Sequence, residues 1–388
     1  MKKFSIKDLK IALIYDRVNT PYGGAEKVLL ALHQIFPNAP LYTSVYDPNK
    51  AKWAQVFKII PSFLQKIPFA KNNHRLLVAL MPLAFESFNL KDYDIVISIT
   101  SAEAKGVITN PKQLHICYLL TPTRYLYSHK QEYLNSKKML NIWPISLLSK
   151  KIFNYLKWWD QIAANRPDVI IPISKLVQQR CQNYYHRDTE AVIYPPVKIE
   201  NILNSQPNLK YYLVVSRLVS YKQIDLAIQA CLKLGRNLLI VGDGPEKLKL
   251  MKLVDKHKNK LKNQGKYIIF LGHQSKERVA KLYNNCIALL MPGEEDFGIT
   301  ALEANAHGKP VLINMKSGAA QLIENKKHGL HLGKNNVTEL TKKMQRLEKI
   351  QFDINILRQN AHKYGTSNFM RKFVNQVNQL WQKYNNKL

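Results

Sequence analysis

The sequence is short of acid. Its 388 residues carry 27 Asp+Glu against 58 Lys+Arg, a formal net charge of +31. Such an excess favours anionic partners: membrane lipid, nucleic acid or phosphorylated substrates. Lysine-rich solvated helix faces and a biased genomic base composition account for the same surplus of Lys, Asn, Ile and Tyr, so charge alone does not choose a function. Cysteine is also sparse. The four cysteines, Cys117, Cys181, Cys231 and Cys286, are scattered without a Cys-x-x-Cys pair, which excludes a disulfide framework and fits a reducing cytoplasm. Long apolar runs are missing. LLVALMPLAF, from Leu76, is short and holds Pro82, whereas a membrane-spanning helix needs about 18 uninterrupted apolar residues. The expected chain is soluble or bound to a membrane surface. IALIY, from Ile11, is shorter than a signal-peptide core and reads as a first buried strand. There is no internal repeat of short period, and the one biased tract is the Lys/Asn-rich region around Lys247 to Lys266.

What is present points to an ordered α/β protein. Hydrophobic residues make up 46% of the chain and aromatics 10%, too many for wholesale disorder. The length suits two domains, since a single core stops growing at roughly 250–300 residues. Short β-branched runs alternate with helical patterns: IALIYD then AEKVLLALHQIF, YDIVISIT, HICYLL, and DVIIPIS then KLVQQRCQNYY. After a polar segment at about residues 195–209 a second series follows, with YYLVVS, NLLIVGDG, YIIFLG, CIALLMP and PVLIN. That alternation predicts parallel sheets with crossover helices. Phe369, Phe373, Val374, Val377 and Leu380 recur at helical spacing near the C-terminus, predicting a final amphipathic helix.

Three loops carry candidate chemistry. In GEEDFGITALEANAHGKPV a strand leads through a Gly-containing loop into a helix closed by Gly308, and free N–H groups from about Gly298 to Leu302 would cradle an anion. Glu295 and Glu303 flank this cradle. Were the whole step helical, a rise of ~1.5 Å per residue would set their Cα atoms about 12 Å apart. Retaining glycosidases hold their carboxyl groups at about 5–5.5 Å and inverting ones at up to about 9.5 Å, so the two glutamates read as ends of one ligand rather than as an acid pair. Helix-terminus electrostatics would also explain either glutamate alone. In SRLVSYKQID, Arg217 and Lys222 lie between a strand and a helix, where two cations can converge on a leaving diphosphate. In YDRVNTPYGGAEKV, Gly23 and Gly24 precede a helix and let backbone approach a ligand closely. Asp92-Tyr93-Asp94 has the form of an Asp-x-Asp metal motif but reads as a turn leading into a strand.

Together GGAEKV, SRLVSYKQID, VGDGPE and EDFGITALEANAHGKPV resemble the retaining glycosyltransferases of the GT4 type (glycosyl transferase group 1), over nearly the whole chain and nearest the mannosyltransferase-like branch. The resemblance implies a GT-B fold: two Rossmann-like domains facing a central cleft, with a C-terminal helix crossing back. The expected domains are an acceptor-binding one at 1–200, a nucleotide-sugar-binding one at 201–367 and the helix at 368–388. It further implies that Glu295 orients donor-sugar hydroxyls, that the backbone of Phe297, Gly298, Ile299 and Thr300 holds sugar and phosphates, and that Glu303 binds the ribose. Arg217 and Lys222 would hold the diphosphate, Gly23 and Gly24 would close over it, and Gly272 and His273 would lie near the base. The donor would be a GDP-sugar or UDP-sugar, with no bound metal and no further cofactor. One departure concerns Leu119-Leu120, where such proteins often have Cys-His, although His115, Tyr118, Arg124 and Tyr125 fit the surrounding pattern. Leucine neither donates a hydrogen bond nor exchanges a proton.

The basic, aromatic stretch from Lys52 to Arg75, with Trp53, Phe57, Phe63 and Phe69, and a second one from Ser136 to Asp160 suit an anionic lipid surface. Apolar core with a lysine rim is the competing account. The function expected is transfer of a hexose such as mannose to a glycan or lipid-linked acceptor in cell-envelope polysaccharide synthesis, in the cytoplasm on the inner face of the membrane. A UDP-sugar transferase and a catalytically weak nucleotide-sugar binder are the related alternatives. A basic nucleic-acid-binding protein is the alternative of another class, and it lacks a helix-turn-helix signature, zinc spacing or an RNP-like strand.

Overall fold

Five consecutive apolar residues, Ile11–Tyr15, form β1, and all five are buried. Strands hidden on both faces are what a parallel sheet beneath two layers of helices requires. The computed structural model describes residues 9–128, 145–198 and 211–386. β1 is joined in one six-stranded sheet by β2 (Leu41–Thr43), β3 (Ile59–Pro61), β4 (Ile95–Thr100), β5 (Leu114–Leu119) and β6 (Val169–Pro172), in the order β3-β2-β1-β4-β5-β6. Each pairing is parallel, with Leu13 opposite Ile97 across β1 and β4. A second six-stranded sheet is built from β7 (Tyr211–Val215), β8 (Asn237–Val241), β9 (Ile268–Gly272), β10 (Leu289–Met291), β11 (Val311–Asn314) and β12 (Gly329–Leu332), in the order β12-β11-β10-β7-β8-β9.

Read from β9, the second order repeats the first: third, second, first, fourth, fifth, sixth strand. The sequence thus makes the same doubly wound sheet twice. In each sheet the winding reverses beside the first strand, at β1/β4 and at β7/β10, and the carboxyl ends of those strands open a crevice for ligands.

The chain divides into two compact units, one of residues 1–196 with 367–388 and the other of residues 197–366. Of the expected linker, residues 199–209 lie outside the described residues. The final helix, Thr366–Asn385, belongs to the first unit and buries Phe369, Phe373, Val377, Leu380 and Trp381, an i, i+4 stripe. Phe369 and Phe373 meet the fully buried Tyr118 of β5 edge-on at 6.0 and 5.7 Å. Tyr384 Oη donates to the carbonyls of Pro111 and Gln113 at 2.7 and 2.9 Å. Asp94 does structural work in its turn, accepting from the Lys10 amide at 2.7 Å, while Tyr93 and Tyr42 share a hydroxyl contact of 3.0 Å.

Candidate functional site

In the second unit the parallel strands deliver their exit loops to one end of the sheet. β7 leads to Arg217 and to a short 3-10 turn, Ser220–Lys222; β9 leads to Gly272 and His273; β10 leads to Glu295 and the helix Ile299–Ala306. Arg217 and His273 are exposed and Lys222 is buried. The Lys222 ammonium forms an ion pair with Glu295 Oε2 across the β7/β10 reversal. Sequence reasoning assigned these two groups to opposite chemistry, diphosphate and sugar. In the fold the two groups are also partners of one another.

The residues that permit this contact were not anticipated. A Cβ on Gly293 would lie 2.4 Å from Lys222 Cα and 2.4 Å from the Tyr221 carbonyl, so only glycine lets the β10 loop rest on the 3-10 turn. Ser317, in the loop after β11, accepts from the Glu295 amide at 3.1 Å and donates to the Gly293 carbonyl at 3.2 Å. Gly318 N donates to the Glu295 carbonyl at 2.8 Å, and Asn314 Nδ2 to that of Pro292 at 2.9 Å. Glu295 is therefore held from both sides, through backbone contacts that leave no pattern in the sequence.

Gly298 takes φ +91° at the N-cap of the helix Ile299–Ala306, with no side chain capping the first turn. Within that turn the Ala301 amide donates to the Gly298 carbonyl at 3.0 Å, while a helix start leaves its first amides without an intrahelical acceptor. Phe297 is buried, while Ile299 and Thr300 are half-buried, Thr300 Oγ1 lying 3.6 Å from Met291 Sδ. Helix begins only at Ile299, so the step from Glu295 to Glu303 is half loop, and the all-helical separation does not apply. Glu303 accepts from Tyr283 Oη at 3.2 Å, and the Tyr283 ring stacks on His307 at 5.3 Å. Burial first, and Glu303 next, lift the Tyr283 hydroxyl well above its ordinary pKa, which keeps it a donor. Gly272, with φ +65°, accepts from the Gly242 amide at 2.8 Å, tying the β9 end to the β8 loop.

The first unit has a different crevice. Asp16, at the end of β1, accepts from Thr100 Oγ1 at 2.7 Å, Ser101 N at 2.7 Å and Ala104 N at 2.9 Å, so its carboxylate clamps the β4 exit. Lys105 Nζ is paired with Asp160 at 2.5 Å, and Thr123 Oγ1 donates to the same Asp160 oxygen at 2.7 Å. Burial opposes the Lys105 charge, yet Asp160 outweighs it and raises the pKa above the lysine norm. Glu103 accepts from Tyr125 Oη at 2.6 Å, and burial raises its carboxyl pKa against the charge of Arg17. Gly23 caps the helix Gly24–Ile35, and a Cβ there would come within 2.9 Å of Glu26 Oε2. Its lack of a side chain thus makes room for a buried glutamate of its own domain. His115 is buried against Ser98 Oγ at 2.9 Å, and burial pushes its pKa down to about 3. Leu120 is half-buried and hydrogen-bonded by its amide to Thr100 at 2.8 Å.

The second unit is thus a doubly wound α/β domain whose reversal point carries an ion pair beside a helix start with no side-chain cap. Residues 198–367 match the family described as glycosyl transferases group 1, and the second unit belongs to it. Among curated proteins, "Uncharacterized glycosyltransferase MJ1178" of Methanocaldococcus jannaschii is 29% identical over 192 residues, 49% of this chain and 52% of that protein, so the chain matches about half the length of this relative. "Alpha-1,3/1,6-mannosyltransferase ALG2" of Dictyostelium discoideum is 24% identical over 83% of this chain and 86% of its own. Among solved structures, Anabaena Alr3699/HepE in complex with UDP superposes with a TM-score of 0.67 at 18% identity, over 95% of this chain and 99% of that one. The apo lipopolysaccharide outer core galactosyltransferase WaaB gives 0.64 at 18% identity, over 95% and 99%. The fold is GT-B.

Proposed function

We propose that the protein is a retaining glycosyltransferase that moves a hexose from a nucleotide-diphosphate sugar to a glycan or lipid-linked acceptor. The observation that carries this is the Lys222–Glu295 pair at the β7/β10 reversal, beside the amides of the Ile299–Ala306 helix, in a domain of the group 1 family. Donor binding exchanges partners: the diphosphate takes the Lys222 ammonium and the helix amides, and Glu295 turns its freed carboxylate to sugar hydroxyls. As the bond from the anomeric carbon to the phosphate oxygen breaks, Lys222 and Arg217 stabilise the charge growing on the leaving diphosphate. The acceptor oxygen forms its bond on the same face, and its proton passes to that leaving phosphate, so no protein nucleophile is required. Glu303, anchored by Tyr283, holds the ribose, and Gly272 with His273 lies beside the base. These roles need neither metal nor cofactor.

Mannose from GDP-mannose is the donor favoured by the EDFGI core and by the ALG2 relatives. A UDP-sugar is the second reading, favoured by the UDP complexes of Alr3699/HepE. The acceptor in this proposal is carried at a membrane, on its cytoplasmic face, and exposed apolar and basic residues support that reading. Phe69 and Leu76, each 79% exposed, stand among exposed Lys66 and Lys71 in the first unit, and no described helix is long and apolar enough to cross a membrane. Phe57 is not part of this surface, for it packs in the core against His33 at 4.7 Å. Residues 136–144 of the other basic stretch lie outside the described residues. Incubation with a panel of GDP-, UDP- and ADP-sugars and extracted membrane lipid tests the proposal. Release of one nucleotide with label in the lipid or glycan fraction is expected; turnover of none overturns the transferase reading.

A further inference from the structure

The helices Lys247–Asp255 and Lys258–Asn263 precede the outermost strand β9 of the second unit. Between Lys247 and Lys266 the chain places eight lysines and one acid, Asp255. Their inward side is committed: Leu250 and Leu261 belong to the buried core with Leu253, Val254, Ile268 and Phe270. Their outward side is unusual in being both cationic and apolar. Lys247 and Lys249 pair with Asp243 and Glu246 at 2.8 and 3.0 Å. Lys252, Lys256, Lys258, Lys260, Lys262 and Lys266 are exposed, with no ion pair among the described residues. Leu248 is 73% exposed and Met251 39% exposed, three residues apart and so on one face with Lys252.

We infer that this lysine-rich pair of helices is a second membrane-contact surface, docking the second unit on an anionic lipid bilayer independently of the first. Each lysine near an anionic surface contributes Coulomb attraction, and exposed Leu and Met supply apolar groups that enter the headgroup boundary. A nucleic acid is the poorer fit. The segment from Lys247 to Lys266 has no Arg to fork onto phosphates or bases and no Phe, Tyr or Trp to stack on them; its one ring, His257, is half-buried with Nδ1 3.0 Å from the Leu253 carbonyl. The inference does not depend on transferase chemistry and would hold for a chain that transferred nothing.

The test uses the full chain with phosphatidylglycerol-containing vesicles, phosphatidylcholine vesicles and a single-stranded oligonucleotide. The variants are Lys252→Gln/Lys256→Gln/Lys260→Gln and Leu248→Ser/Met251→Ser, each made also with Phe69→Ser/Leu76→Ser to remove the first unit's contribution. At low salt the triple variant is expected to bind anionic vesicles more weakly by on the order of 100-fold. The Leu248/Met251 variant is expected to lose the fraction that stays bound when salt screens the charges. Unchanged melting temperatures and nucleotide binding show that fold and donor site survive. Wild-type vesicle binding by the triple variant in both backgrounds overturns the inference. So does loss of oligonucleotide binding with vesicle binding intact.

Discussion

The two sheets share one strand order and use it in opposite ways. At the β1/β4 reversal of the first unit, charge is locked inside. Asp16 is spent on the β4 exit, and Lys105 with Asp160 forms a pair whose side chains are each 2% exposed. At the β7/β10 reversal of the second unit, Lys222 and Glu295 reach solvent, with side chains 10% and 20% exposed. A pair sealed in the interior holds loops in place, because separating it strands a charge where water cannot reach. A partly exposed pair beside a helix start can exchange its partner for a ligand at a smaller desolvation cost. The same topology therefore carries a sealed ion pair in one unit and a partly exposed one in the other, and the function proposed above treats the first as a platform and the second as an exchangeable latch.

The largest expected effect breaks the platform. Asp160→Asn leaves Lys105 without its counter-charge and should lower unfolding free energy by about 3–5 kcal/mol, read in urea melts, with nucleotide affinity unchanged in the folded fraction. Next, Lys222→Ala should reduce kcat/KM by about 100-fold with a smaller loss of stability. Equal losses of stability in these two variants would erase the distinction between platform and latch.

His115 sharpens it further, since it lies in the platform and its folded pKa is depressed. A histidine kept neutral by folding is protonated first in the unfolded chain, so its contribution is complete above the unfolded pKa and is lost as pH falls toward about 3. The stability advantage of wild type over His115→Gln should therefore shrink by about 2 kcal/mol between neutral pH and pH 5. The smallest effect belongs to Glu303→Ala. It should weaken nucleotide binding by roughly 10-fold, the worth of about one hydrogen bond to a charged group, and leave the His115 pH dependence untouched.

Much of this arrangement was legible in residue patterns. IALIY, IVISIT and LHICYL announce buried parallel strands, and Phe369, Phe373 and Val377 announce the final helix, because burial leaves a period. Gly298 marks the helix start for the same kind of reason, as its left-handed backbone demands a particular residue. The Lys222–Glu295 pair was not legible. It joins residues far apart in the chain, and its supports are backbone contacts from Gly293, Ser317 and Gly318 that a serine or glycine in sequence does not declare. Gly23 adds a contact that its sequence did not declare: a Cβ there would come within 2.9 Å of Glu26 Oε2.

The exchange of Lys222 from Glu295 to a nucleotide diphosphate is most directly tested by a thermal-shift titration of wild type and Lys222→Ala with GDP, UDP and ADP. The account predicts that at least one nucleotide raises the wild-type melting temperature in a concentration-dependent way and that Lys222→Ala loses most of that shift. No shift with any nucleotide, or an equal shift in both proteins, would contradict it.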